Sequence, residues 1–260
     1  MPEVPTQTTQ TSQTIMEAWE LKKILKILSI VDADVVIMPI GSKYDANLVR
    51  LEALSNDHTV LAAVDTVGLF NKLGYSIMIG SEDVKKLMKV IPWSRMLVRV
   101  VIDGTSLSVH SMDGDARINT TIVEKPVSIL NGLDVKEWHP KAIMRDVDAS
   151  TLLMWFKPFS VVARAEAHFK MLYNGFMIDV NNEGATMMLD TKLVPGEYTT
   201  EDIFEVRYRL DYAVSFLEEV KRGRVNVVLG YDKPMIVEAG LESKASVETT
   251  AYIVQAPMVE

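Results

Sequence analysis

A nine-residue helical pattern occurs twice in this chain with every lysine in register. Glu20-Leu21-Lys22-Lys23-Ile24-Leu25-Lys26-Ile27-Leu28 returns 63 residues later as Asp83-Val84-Lys85-Lys86-Leu87-Met88-Lys89-Val90-Ile91. Apolar side chains at i, i+3, i+4 and i+7 form one face of each helix, and lysines form the opposite face. The apolar stripe alone occurs four times. Leu21, Ile24, Leu25 and Leu28 make the first and Val84, Leu87, Met88 and Ile91 the second. Ala149, Leu152, Leu153 and Phe156 make the third, and Ala213, Phe216, Leu217 and Val220 the fourth. The stripes begin at residues 21, 84, 149 and 213, so the steps are 63, 65 and 64 residues. Near-constant spacing predicts a fold assembled from copies of one unit.

Between the helices the pattern changes to strands and tight turns. Val98 to Ile102, Asp103-Gly104 and Ser106 to His110 read as a hairpin. Lys170 to Tyr173, Asn174-Gly175 and Phe176 to Val180 read as a second. Gly41-Ser42, Asn56-Asp57, Asn182-Glu183-Gly184 and Gly230-Tyr231-Asp232 mark further turns. Strand-like runs cover Val35 to Ile40, Leu48 to Leu54, Val60 to Asp65, Ala185 to Leu189, Val225 to Leu229 and Ala251 to Val254. Each helix thus follows one strand and precedes about three, a β-α-β-β-β unit. The turns are too short for parallel crossovers, so the sheets are expected to be antiparallel with helices on one face, an α+β architecture. Two units per domain give two similar domains, 15–126 and 142–260, joined by a connecting loop over 127–141. Residues 1–14, rich in Thr and Gln, read as a disordered tail and carry no signal-peptide pattern.

Composition removes several classes. There is no cysteine, which excludes disulfides, thiolate metal sites and cysteine nucleophiles. Asp32 and Asp34 interrupt the best apolar run, Ile30 to Ile40, so no membrane span is expected. The four histidines, His58, His110, His139 and His168, form no metal-binding spacing. Asp113-Gly114-Asp115 lacks the remainder of a calcium loop and reads as a turn. No phosphate-binding loop, dinucleotide fingerprint or nucleophile elbow is present. No metal, cofactor or catalytic residue is expected. Trp155 falls on the polar side of its helix, as a packing residue or as a contact to a ligand or second subunit.

The net charge is −8, so any affinity for nucleic acid must come from placement of the cations. On one helix a lysine run is ordinarily a solvated face. A symmetric fold aims both stripes at one place, where Lys22, Lys23, Lys26, Lys85, Lys86 and Lys89 can meet a polyanion. Lysine suits sequence-independent phosphate contact because its charge sits on a flexible stem. In the second half the stripe is weaker, with Ser150, Thr151, Met154, Val214, Ser215 and Glu218 at matching offsets. Basic residues lie nearby (Lys157, Arg207, Arg209, Lys221, Arg222 and Arg224), and of these Lys157, Lys221 and Arg222 are the candidates for phosphate contact.

Short segments in a fixed order resemble the proliferating cell nuclear antigen family of sliding clamps over about Ile15 to Glu260. Ala53-Leu54-Ser55-Asn56-Asp57-His58 is similar to the family's A-M-D-x-x-H. Leu229-Gly230-Tyr231-Asp232-Lys233-Pro234-Met235 is similar to L-G-x-D-x-P-[LM]. Gln255-Ala256-Pro257-Met258-Val259-Glu260 is similar to L-A-P-K-[IV]-E. Leu133-Asp134-Val135 resembles the acidic loop joining the domains, and Asp146-Val147-Asp148-Ala149-Ser150 the opening of the second. The resemblance implies a DNA clamp fold with no enzymatic activity. Three subunits would close a ring, helices lining the hole around double-stranded DNA and sheets outside. Clamp loader, DNA polymerase and other enzymes would dock through short peptides in a pocket of Leu54, His58, Leu61, Leu133, Val135, Pro234, Val254, Ala256 and Pro257. The subunit edges would be Ala116, Ile118, Thr120 and Ile122 on one side and Ala185, Met187 and Leu189 on the other. Val254 stands where the family has an aromatic residue, and Trp138 where smaller residues are expected. The implied location is intracellular: archaeal cytoplasm, a virus-infected host cell, or a eukaryotic nucleus. The alternative readings are a specialised or checkpoint-type clamp subunit in a hetero-oligomeric ring, and an unrelated two-domain enzyme.

Overall fold

A computed structural model describes residues 11–40, 48–70, 73–112, 114–160, 166–173, 175–180, 185–190, 197–242 and 248–258. The turns expected at Gly41-Ser42 and Asn182-Glu183-Gly184, Asn174 of the second hairpin, and residues 1–10 of the expected tail lie outside them. The first unit runs β1 (Ser12–Glu17), α1 (Ala18–Leu28), β2 (Val35–Pro39), β3 (Leu48–Leu54) and β4 (Val60–Val67). The second runs β5 (Ser76–Ile79), α2 (Ser81–Val90), β6 (Leu97–Ile102), β7 (Ser106–Ser111) and β8 (Gly114–Asn119), with a short β9 (Thr121–Val123). The third runs β10 (Lys141–Asp148), α3 (Ala149–Ser160), β11 (Glu166–Leu172), β12 (Gly175–Val180) and β13 (Ala185–Asp190). After β14 (Glu197–Thr200), the fourth runs β15 (Phe204–Arg209), α4 (Asp211–Val220), β16 (Arg224–Gly230), β17 (Met235–Leu241) and β18 (Thr249–Gln255). The repeated β-α-β-β-β unit is therefore present four times, with β9 and β14 as additions.

The expected tail is shorter than the sequence suggests. Ser12, Gln13 and Thr14 belong to β1, which pairs antiparallel with β6 from Ser12↔Ile102 to Glu17↔Leu97. Ser12 and Thr14 point into the core beside Met16, so small polar residues occupy positions where an apolar alternation would have announced a strand.

Three sheets form, and every pairing among the described residues is antiparallel. Their orders are β1-β6-β7-β8, then β14-β10-β16-β17-β18-β4-β3-β2-β5-β9, then β13-β12-β11-β15. The ten-stranded sheet is continuous because β18 pairs with β4 over seven residues, Thr249↔Thr66 through Gln255↔Val60. The repeat relates these strands to others. β6-β7-β8 follow α2 as β16-β17-β18 follow α4, and β2-β3-β4 follow α1 as β11-β12-β13 follow α3. β8 is thus the counterpart of β18, and β13 of β4. Yet β8 and β13 each end a sheet.

All four apolar stripes pack inward. Leu21, Ile24, Leu25 and Leu28 of α1 are buried, as are Val84, Leu87, Leu152, Phe156, Phe216 and Leu217 on the other helices. Each such side chain contributes about 1.5–3 kcal/mol by leaving water. The second half adds an aromatic knot in which Phe169 meets Phe156 and Tyr208 edge-on, each with ring centroids 5.8 Å apart. Trp155 is buried, so it serves packing. Carboxylates set the starts of α2 and α3. Asp148 accepts from the Ser150 N–H at 2.7 Å and opens α3; Asp34, just before β2, accepts from the Ser81 N–H at 2.9 Å and opens α2. The Ser150 hydroxyl, also donating to Asp148, holds that carboxyl below its usual range. In the Asp103-Gly104 turn Gly104 has φ +90°, and Asp103 accepts from the Ser106 N–H at 2.9 Å.

Candidate nucleic-acid interface and partner surface

The helices lie side by side in the order α2, α1, α4, α3. Lys22 of α1 donates to the Ile91 carbonyl after α2 at 2.7 Å, Lys26 of α1 meets Glu219 of α4 at 2.6 Å, and Lys157 of α3 meets Glu218 of α4 at 2.7 Å. Cations of α1 and α3 thus reach across to their neighbours, while α4 itself carries no lysine or arginine and is followed directly by Lys221 and Arg222. The states of the cations differ. Lys85 bridges Asp32 at 2.7 Å and Glu82 at 2.9 Å, and its hydrogen bond to Asp32 holds its proton more tightly than a free lysine. Lys86 pairs with Asp83 at 2.8 Å, and that hydrogen bond likewise raises its pKa. Lys23 is half-buried; desolvation lowers its pKa despite Glu242 and Glu219. Lys89, Lys221 and Arg222 are exposed and make no ion pair among the described residues. The structure thus brings all nine expected cations to the helix layer but balances five of them with carbonyl or carboxylate partners from neighbouring turns and helices.

Sequence reasoning passed over three side chains here. Trp93, just past α2, is 57 % exposed and lies under the Lys22 and Lys26 ammonium groups, 5.4 and 5.8 Å from its ring centre. Trp19 and Arg95 lie beside it. The signal was the run Pro92-Trp93-Ser94-Arg95, placed directly after a lysine-striped helix.

The opposite face of the ten-stranded sheet carries the connecting segment between β9 and β10. Two short 3₁₀ turns, Leu130–Gly132 and Val135–Glu137, lie over the strands. Beneath them Leu61, Trp138, Ile236 and Val254 form a separate buried cluster, with Leu54, Leu133 and Val135 packed against it. Five of the nine expected pocket residues meet here. His58 lies exposed in the β3–β4 turn, and Pro234 sits partly exposed in the β16–β17 turn. Ala256 donates its N–H to the Thr59 carbonyl at 2.7 Å, which ties the segment after β18, with Pro257, to that turn. The expected pocket is narrowed over Val254, while Leu54 and Leu61 still line an open cleft. Trp138 is only 5 % exposed and fills the space above Val254. Its ring approaches so closely that a Cβ added at Gly230 would stand 3.1 Å from it. Two clefts remain beside the segment. One, of about 390 Å³, is lined by Leu130, Leu133, Val135, Ile236 and Tyr252. The other, of about 430 Å³, is lined by Val36, Met38, Leu54, Pro126 and Val127.

A buried ion cluster fastens this segment. The Arg50 guanidinium donates to Asp65 at 2.5 and 2.6 Å, to Ser128 at 2.8 Å and to Asn131 at 2.6 Å. Glu52 accepts from the Ser128 hydroxyl at 2.5 Å and from the Ile129 N–H at 3.2 Å. Neither residue stood out in the sequence, because each is a charge inside an otherwise strand-like run.

The expected edge residues separate. Ala116 and Ile118 belong to β8, but Ile122 belongs to β9, which pairs with β5 in the ten-stranded sheet. Thr120 is the break between them, donating its N–H to the Thr105 carbonyl at 2.9 Å. Ile118 points into the core, so β8 offers its backbone there rather than that side chain. Ala185, Met187 and Leu189 lie on β13, the end strand of its sheet; their side chains lie outside the described set. No group of acidic or histidine side chains able to hold a metal occurs among the described residues. No helix among them is long and apolar enough to cross a membrane.

No family model matches the chain, and no curated protein matches it by sequence. Solved structures do resemble it. The proliferating cell nuclear antigen of A. fulgidus, solved with the C-terminal region of FEN-1, superposes with a TM-score of 0.74 at 14% identity, covering 96% of this chain and 99% of that one. The antigen of Thermococcus kodakaraensis gives 0.69 at 16% identity over 96% and 100% of the two chains. A putative DNA polymerase III beta subunit from Eubacterium rectale gives 0.70 at 9% identity, covering all of this chain and 68% of that one. The chain has the fold of these clamps.

Proposed function

We propose that this chain is a DNA sliding clamp, a processivity factor without catalytic activity. Three copies close a ring around duplex DNA and tether polymerase, clamp loader and other DNA enzymes to it. The observation that carries the reading is the seam between β4 and β18. It shows that the end strand of one repeat pair fits that of the other in antiparallel register. Their counterparts β13 and β8 end their sheets. The same pairing made between copies joins them head to tail and covers two edges that would otherwise invite aggregation. Each subunit then contributes two similar domains, 15–126 and 142–260, hinged on the segment over 127–141.

Lys22, Lys23, Lys26, Lys85, Lys86, Lys89, Lys157, Lys221 and Arg222 face the enclosed duplex. Because most are paired within the chain, each phosphate contact exchanges one partner for another and stays weak, as a sliding contact must. Partners dock on the opposite face, beside the connecting segment, where the Leu130/Tyr252 and Val36/Pro126 clefts accept apolar side chains. Tethering raises the effective concentration of the docked enzyme at the template.

Two measurements test this. Light scattering at micromolar concentration gives the mass of three chains. Protein loaded on nicked circular DNA remains there and leaves when the circle is linearised. Equal retention on linear DNA with free ends removes topological linkage. A chain that stays monomeric until a second protein is added favours the hetero-oligomeric ring instead.

A further inference from the structure

An open groove of about 520 Å³ lies between α1, the residues after α2 and the C-terminal end of α4. Trp19, Trp93, Lys23, Arg95, Lys221 and Arg222 line it. Arg95, Lys221 and Arg222 make no ion pair among the described residues. Glu219 and Glu242 also reach it, but Glu219 is already held by Lys26 at 2.6 Å. Four cations therefore face two carboxylates, one of them neutralised, in a protein of net charge −8. Burial weakens the Lys23 ammonium's hold on its proton, so an arriving anion favours its charged form.

The indole is the informative element. Trp93 keeps 57 % of its surface in water, with the Lys22 and Lys26 ammonium groups 5.4 and 5.8 Å from its ring centre, on a face shared by lysine, arginine and glutamate. Contact with duplex phosphates needs no aromatic ring, and paired bases expose no π-face to one. An unpaired base does, and base–aromatic stacking combined with a cationic track is how single strands are held without sequence preference. We propose that this groove binds a short stretch of single-stranded DNA, one base stacked on Trp93 and the flanking phosphates held by Arg95, Lys221 and Arg222. This deepens the clamp reading: it gives the ring a place for an unpaired strand at a primer end or gap.

The test is titration of the full-length protein with oligothymidylate of about eight nucleotides and, separately, with a short blunt duplex. Fluorescence anisotropy and tryptophan emission are the readouts. Oligothymidylate quenches part of the emission. Trp93→Ala loses that quench and weakens single-strand binding by roughly 5- to 150-fold, the range expected for one stacked base. Trp93→Phe restores most of the affinity, and Lys221→Glu with Arg222→Glu abolishes it. Because Lys22 and Lys26 rest against this ring, Trp93→Ala also shifts duplex affinity, but by less than it weakens single-strand binding. The inference is overturned if Trp93→Ala binds oligothymidylate like the parent, or if the duplex quenches emission equally. Failure of retention on nicked circles, with this titration intact, removes the clamp reading and leaves the groove.

Discussion

Replacing Arg117 by proline separates assembly from folding. The hairpin joining β7 to β8 has a two-residue loop with Ser111 opposite Gly114. Beyond the strand, the Thr120 N–H donates to the Thr105 carbonyl. Even-numbered residues of β8 thus bond inward to β7, and Asp115, Arg117 and Asn119 direct their N–H groups away from the sheet. The Arg117 side chain is exposed, and its one ion pair among the described residues, to Asp103, is loose at 3.6 Å. Proline at this position keeps the internal ladder and removes the central outward donor. Paired with β13 of a neighbour, β8 would make roughly six ladder bonds. Losing one orphans the facing carbonyl, at about 1–3 kcal/mol per interface. Across three interfaces the total is about 3–9 kcal/mol if they act independently. Each interface then dissociates about 5- to 150-fold more readily. Sedimentation velocity across a dilution series shows Arg117→Pro as monomer where the parent is trimer. Thermal unfolding of the dilute variant stays within about 0.5 kcal/mol of the parent monomer, as for an ordinary surface change. A variant that assembles like the parent refutes the edge pairing. One that unfolds refutes the assignment of the outward N–H.

Trp138→Ala removes the cap over Val254 and destabilises by about 3 kcal/mol, the low end for a buried aromatic because the loop can settle; a urea series showing under about 1 kcal/mol refutes the packing role. Arg50→Met leaves Asp65 and Glu52 without their cation and costs about 3–5 kcal/mol. Amide exchange in residues 128–137 accelerates with it, and unchanged exchange there refutes the tether. Burial pushes the Tyr198 and Tyr252 phenols up to about 12 and raises Tyr208 further. Above about pH 10, where free tyrosine ionises, the unfolded chain releases protons that the native state retains, so stability falls as pH rises from about 10 to 12. Absorbance at 295 nm then shows these phenols ionising only as the protein unfolds; a single transition near the free value with the fold intact contradicts it. Lys89→Ala weakens duplex binding at all sequences and lowers the salt slope by about one; an unchanged slope removes Lys89 from the interface.

Much of the architecture was readable because it is written in local periodicity. Four stripes such as Leu21/Ile24/Leu25/Leu28 specify buried helix faces, and Asp103-Gly104 specifies its turn chemically. β1 was half hidden because Ser12 and Thr14 occupy inward positions. The break at Thr120 was invisible, since β8 and β9 form one polar, strand-like run that parts only when β9 finds β5. The lysines were legible as a stripe, but their carboxylate partners Asp32, Glu218 and Glu219 come from other elements and depend on how the helices lie. Trp138 and Trp155 illustrate the same gap. Neither position reveals burial locally, and each is buried by residues distant in sequence.

A protomer whose two ends differ, β13 at one and β8 at the other, has no internal reason to stop adding copies. Growth halts only where accumulated curvature returns the last free end to the first. A substitution that flattens the arc at the β4–β18 join by a few degrees would leave both ends as sticky as before. In the ring proposed above, that would convert a closed species into an open filament of unlimited length, so the β4–β18 join inside each chain would set the number of copies.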